Sequence, residues 1–179
     1  MAKRLRLVMP RVEVRSGWLA VVALLAQVIV IYAGFGDAAV LRRFIFPLSY
    51  VLLIAFVALN RRRIGFLIIG AGMLLNFLAI VTNGGLMPVS PANMAKAELA
   101  HKLEGLELGD PIPRSKNVLL EESDTHLRWL SDRLDWDSGT NLQIFSVGDV
   151  IIAAGLVVVL LEFLMPRVQR VSPDRTSPT

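Results

Sequence analysis

The chemistry this chain could do is concentrated in two short strings, and the first is Ser146-Val147-Gly148-Asp149, a carboxylate three residues after a hydroxyl at the start of an apolar run. A carboxylate at the edge of a membrane-length segment is costly unless it accepts hydrogen bonds or acts on something. The spacing also has a structural account. It is a capping box, in which the hydroxyl accepts from a first-turn amide and the carboxylate meets the positive end of the helix. The second string is Asn76, then Asn83-Gly84-Gly85-Leu86-Met87-Pro88. Asn83 near a C-cap, Gly84 in the left-handed region and Pro88 barring continuation would stop a helix. A second glycine and Met87-Pro88 exceed what a stop requires, and they allow a loop that offers backbone groups to an ion, a headgroup or a peptide. The candidate functional or latch site is therefore Asn76, Asn83, Gly84, Gly85, Met87, Pro88, Ser146, Gly148 and Asp149. The two strings are expected to meet, with Asn83 against Asp149.

Other chemistries lack their residues. His101 and His126 stand 25 positions apart, outside any HxxxH pattern, so no metal site is expected and His101 reads as helix surface. Neither Ser90 nor Ser146 has a histidine at a fixed spacing, and no GxSxG, Walker or GxGxxG element occurs. The chain has no cysteine, which removes disulfides, thiolate ligands and redox pairs. No cofactor is implied. Glu162, one or two turns before Arg167, is expected to reach toward the interface.

Four apolar stretches must position these residues, as helices over about 18–34, 43–59, 64–82 and 147–165. Each approaches the roughly 20 helical residues that cross a bilayer. With 54% hydrophobic residues among 179, too little polar chain remains to cover so large a soluble core. The fold expected is all-α, a polytopic membrane domain over residues 1–165 with four transmembrane helices, an outer helical segment over 83–146 and a disordered tail over 166–179. The net charge of +4 flanks the apolar stretches and forms no basic patch interleaved with aromatics, so no nucleic-acid partner is expected. If four helices cross, the first 17 residues, the loop Arg61-Arg62-Arg63 and the tail fall on one side with eleven Lys and Arg. That side should be cytoplasmic. Residues 83–146, with six basic against ten acidic residues, should be external.

Helix faces suggest the packing. Gly65, Gly72, Asn76, Ala79 and Asn83 form a small and polar stripe on the third helix, matched by Gly148, Gly155 and Glu162 on the fourth and by Ala20, Gln27 and Gly34 on the first. Small residues permit close backbone approach in lipid, which makes the third helix central. The second, with Pro47 in its first turns, is expected at the periphery. In the outer segment, Ser90 and Pro91 begin an expected amphipathic helix through Ala92, Ala95, Leu99, Leu103 and Leu106, ending before Gly109. A second helix is expected from about Ser123 to Leu134, beside Trp129 and Trp136.

Asn76-Phe-Leu-Ala-Ile running into Asn83-Gly-Gly-Leu-Met-Pro-Val-Ser90, the stretch Asp124 to Asp132, and Ser146-Val-Gly-Asp149 resemble the bacterial membrane family called domain of unknown function 5317, over roughly residues 17–165. The resemblance implies an inner-membrane protein of about four helices and transfers no activity. Phe145 to Gly155 is also similar to the last-helix motif of lipoprotein signal peptidases, which would make Asp149 half of an aspartic dyad. The partner aspartate of that motif is missing, because Asn76 is followed by Phe, Leu, Ala and Ile. Asp110, Asp132 or Asp137 would have to supply it from the loop. Three functions follow in order: a structural or partner-interaction protein whose partners are the bilayer and a membrane protein, a small transporter or lipid-handling protein with an outer polar site, and an intramembrane aspartic peptidase.

Overall fold

The computed structural model describes residues 4–8, 13–32, 39–137, 142–165 and 167–171. Its helices are α1 (Gly17–Tyr32), α2 (Ala39–Leu59), α3 (Ile64–Thr82), α4 (Pro91–Lys96) and α5 (Val147–Leu164). Three segments, Leu41–Leu59, Ile64–Thr82 and Val147–Leu164, are long and apolar enough to cross a membrane. The 16 residues of α1 reach about 24 Å at 1.5 Å per residue, short of a bilayer core of about 30 Å. Gly34, a member of the stripe expected on this helix, lies outside the described residues. Leu67, Leu74, Leu78 and Val81 on α3 and Leu156, Val157 and Leu160 on α5 are exposed, so apolar surface faces outward as well as inward. Helices hydrophobic on every side belong to a membrane span or a deep core.

Glycine sets the closest contact in the bundle, the antiparallel pair α3 and α5. A Cβ on Gly72 would lie 2.6 Å from the Gly148 carbonyl oxygen, and one on Gly155 would lie 2.7 Å from the Ile69 backbone nitrogen. Backbone cannot retreat as a side-chain tip can, so both positions exclude even alanine. At the far end of this pair, Glu162 of α5 accepts from the Ile64 amide at 3.0 Å, placing a carboxylate on the uncapped start of α3. Glu162 thus reaches toward the end of the bundle, as expected, and there serves the start of a neighbouring helix.

The helices pack in the row α1, α2, α3, α5. The expectation that α2 is peripheral is overturned. Its Ser49 accepts from Gln27 of α1 at 2.9 Å, and its Val57 packs with Phe66 and Ile69 of α3, so the polar stripe of α1 meets α2 instead of α3. Asn60, at the α2–α3 turn, donates to the Arg15 carbonyl and accepts from the Arg15 amide, both at 2.9 Å. At the chain ends, β1 (Arg4–Val8) pairs antiparallel with β6 (Arg167–Val171). The tail expected to be unfolded therefore holds a strand, Arg167–Val171. Residues 172–179 lie outside the described ones.

The connection between α3 and α5 is not the helical segment the sequence suggested. It holds a parallel pair, β2 (Met87–Val89) with β3 (Asn117–Leu119), and an antiparallel pair, β4 (Leu134–Asp137) with β5 (Leu142–Phe145). The amphipathic helix stops at Lys96. Glu98 adopts φ +53°, and the chain turns so that Leu99, Leu103 and Leu106 fold onto Val89, Met94 and Ile112. A lone exposed helix of that length would be marginal, whereas the turned chain packs the same leucines, half-buried, against a cluster. The second expected helix is reduced to the single 3-10 turn Arg128–Leu130. The Asn83 side chain bonds the His126 backbone and the Asp132 amide donates to the Pro88 carbonyl, which uses groups a helix would need.

Replacing Gly72 or Gly155 by Ala should lower thermal stability in detergent by about 1–3 kcal/mol through overpacking. Gly17→Ala, with nothing within 4 Å of the added methyl, should be neutral. Equal midpoints for all three variants would refute the close α3–α5 approach.

Candidate functional site

Where α3 ends and α5 begins, Asn76 enters the interface with no exposed surface. Gly148 makes room for it, since a Cβ there would collide with the Asn76 side-chain oxygen. Asn76 Nδ2 donates to Asp149 Oδ1 at 2.7 Å, and Asn76 Oδ1 accepts from Ser146 Oγ at 2.8 Å. Ser146 Oγ in turn accepts from the Asp149 amide at 3.0 Å, and Asp149 Oδ2 accepts from the Ser146 amide at 3.2 Å. The capping box read from the sequence is present, and an amide from the neighbouring helix closes it into a ring.

A lysine that no motif singled out completes the cluster. Lys116, in the turn before β3, places Nζ 2.7 Å from Asp149 Oδ2 and 3.3 Å from Asp132 Oδ1. Asp132 is 1% exposed, and its Oδ2 accepts from Asn117 Nδ2 at 2.8 Å. One ammonium thus bridges a carboxylate of the bundle and a carboxylate of the connecting segment. Burial works against charge on Lys116, but Asp132 and Asp149 together outweigh it and hold the amine well above the ordinary lysine range. Burial pushes the Asp132 carboxyl up, against the pull of Lys116 and the Asn117 amide. The two carboxylates are unequally supported: Asp149 accepts three hydrogen bonds, whereas Asp132 Oδ1 has the ammonium nearby and accepts no hydrogen bond among the described residues.

The expected meeting of Asn83 with Asp149 does not occur. Asn83 Nδ2 donates to the Ala79 and His126 carbonyls at 2.7 and 2.8 Å, and Asn83 Oδ1 accepts from the His126 amide at 2.8 Å. Asn76, seven residues earlier on the same helix, takes the carboxylate instead, because two turns of helix carry Asn83 past the start of α5. Gly84 and Gly85 have φ of +78° and +91° and end α3 as a left-handed turn should. The second glycine has a packing reason, since a Cβ on Gly85 would strike the Arg43 carbonyl. Arg43 donates from Nη1 to the Gly84 carbonyl at 3.3 Å and from Nη2 to the Gly109 carbonyl at 2.6 Å. Met87 and Pro88 form no mouth loop. They are buried in β2, against Val118.

Sequence reasoning missed Lys116, Asn117 and Arg43. An isolated lysine between Ser115 and Asn117 carries no periodic signal, and its partners lie 16 and 33 positions away. Asp132 is one of the three loop aspartates the sequence offers as a partner for Asp149. It is indeed the loop carboxylate that comes near, but an aspartic dyad needs one carboxyl protonated to act as acid and the other free to activate water. A lysine held charged between the two opposes that arrangement.

Beside Lys116 lies a cleft of about 540 Å³. Its apolar walls come from Val89, Met94, Leu99 and Ile112, and Lys102 and Arg114 stand on its lining.

Lys116→Met leaves two carboxylates without their cation, which should cost toward the lower end of about 3–5 kcal/mol because the cluster retains some solvent access. Asp132→Asn added to that variant should recover part of the loss. The raised lysine value means its stabilisation is complete below the ordinary lysine range and disappears only as pH rises through the raised value. The Lys116→Met deficit should therefore stay constant from pH 7 to about 10. Thermal unfolding across that range checks both, and a deficit that shrinks with rising pH would contradict the bridge.

Comparison with known proteins places the chain. The Family of unknown function (DUF5317) matches residues 11–161, and the chain belongs to that family. No curated protein and no solved structure matches it.

Proposed function

We propose that this family member is an integral protein of the bacterial inner membrane with four crossing helices, both termini cytoplasmic and residues 83–146 external, and that its task is to hold a membrane partner rather than to catalyse. The crossing number is supported by the pairing of β1 with β6, since chain ends that pair must leave the bilayer on the same side. An even number of crossings satisfies this. Three crossings alone would separate them. The orientation rests on the arginines flanking that side.

The interaction role rests on the bridge at Lys116. Its ammonium ties the connecting segment to α5 while Lys116 and Asn117 also line the 540 Å³ cleft, so the tie that fastens the segment shapes a docking surface. The polar groups of the cluster are turned toward one another. A transport path needs polar groups that can exchange partners with a passing solute, and a hydrolase needs an acid and a base that are not neutralised by a cation.

Because the chain lacks cysteine, Lys102→Cys gives one reporter inside the cleft. In intact cells an impermeant maleimide should label it without lysis. A photoactivatable maleimide at the same residue should yield a discrete membrane-protein adduct that Lys116→Met abolishes. Labelling only after lysis would overturn the orientation, and an absent adduct, or one indifferent to Lys116→Met, would overturn the docking role.

A further inference from the structure

A second recess lies on the connecting segment and shares no side chain with the Lys116 cluster, although its Ser131 and Arg133 flank Asp132. It measures about 80 Å³. A water molecule's share of the liquid is roughly 30 Å³ and drug-sized sites start near 300 Å³, so the recess suits one small polar group. Three cations, Lys96, Arg128 and Arg133, line it against one carboxylate, Glu122. Ser90, also in the lining, is 6% exposed; its oxygen accepts from the Asn93 amide at 3.2 Å, which leaves the hydroxyl proton to donate. Ser131 Oγ donates to the Arg128 carbonyl at 2.6 Å and so fixes the turn that carries Arg128. A small, cation-rich recess with a buried hydroxyl donor matches a tetrahedral oxyanion.

The rim says where such an anion would come from. Trp129 is 62% exposed, and its ring lies under both arginines, with Arg128 Cζ at 5.1 Å and Arg133 Cζ at 4.6 Å from the centroid. Leu127 beside it is 47% exposed at φ +52°, a conformation a leucine adopts only when its surroundings impose it. They do so here: both backbone bonds of His126 to Asn83 anchor this tip to the end of α3. The turn also touches α5, so an exposed tryptophan and leucine stand at the end of the apolar bundle, where tryptophan favours headgroup depth.

We propose that this recess binds the phosphate of an anionic amphiphile, with Arg128, Arg133 and Lys96 neutralising the charge, Ser90 donating to it and Trp129 and Leu127 resting in the bilayer interface. Asn83 is then the residue that aims the tip. A lipid headgroup and a free phosphate offer the same chemistry, and the test separates them.

The full chain is placed in phosphatidylcholine nanodiscs, and Trp129 fluorescence is followed with Trp18 and Trp136 replaced by Phe. Added phosphatidylglycerol should give a saturable change that needs at least tenfold more lipid after Arg128→Gln with Arg133→Gln. Lys96→Gln, in the lining but outside the stack of Arg128 and Arg133 on the tryptophan, should weaken it severalfold with the fold intact, and Arg61→Gln with Arg62→Gln should leave it unchanged. A saturable response to inorganic phosphate that the same substitutions weaken would support the phosphate site and assign it to a free ligand. No saturable response to either probe, or one indifferent to Arg128, Arg133 and Lys96, would overturn the proposal.

Discussion

A lysine with two carboxylates determines how the rest of this molecule is assembled. Burying apolar side chains gives the helices no net drive to associate in lipid, so close glycine packing and polar bonds hold them. The polar bonds fix the register of that packing. Asp149 at the start of α5 needs partners at the edge of an apolar environment, and it finds Asn76 through the gap left by Gly148 and Lys116 across the connecting segment. Asp132 draws the same ammonium from the other side. Removing any one member strands the others, so the cluster acts as a unit and the glycine packing of α3 on α5 is held in one register.

The segment from residue 83 to 146 depends on that unit. Its β2–β3 pair is only three residues long on each strand and would not persist alone. It is held by Arg43 reaching the Gly84 and Gly109 carbonyls, by Asn83 on His126 and by Lys116 on the bundle. These long-range bonds explain why a chain patterned for two amphipathic helices folds as short strands and turns.

Caps, stops and buried helix positions were legible in the sequence, whereas long-range partners were not, and the periodic pattern of the connecting segment misled as to its helices. The Ser146 to Asp149 box, the left-handed stop at Gly84 and the burial of Asn76 depend on residues within a turn or two of each other or on one helix face, and each stands where its spacing put it. Leu99, Leu103 and Leu106 share one apolar cluster, half-buried, without the helix, since the same periodic leucines can cover a cluster after one left-handed turn at Glu98. Lys116 was illegible because a salt bridge has no period, and nothing in the spacing singled out Asp132 from Asp110 and Asp137 as the loop carboxylate that comes near Asp149. The assignment of α2 to the periphery failed for a related reason: its contacts run through Ser49, Val57 and Asn60, which form no small-residue stripe.

The most direct test of the shared bridge is a dipolar distance measurement by solid-state NMR on the full chain in lipid, between ¹⁵N at Lys116 Nζ and ¹³C at the aspartate side-chain carboxyls, assigned with Asp132→Asn and Asp149→Asn. The structure requires coupling from one charged Nζ to both carboxyl carbons, with each substitution removing one of the two. Coupling to Asp149 alone, or to neither, would mean that the connecting segment is not fastened through Lys116 and would contradict the account.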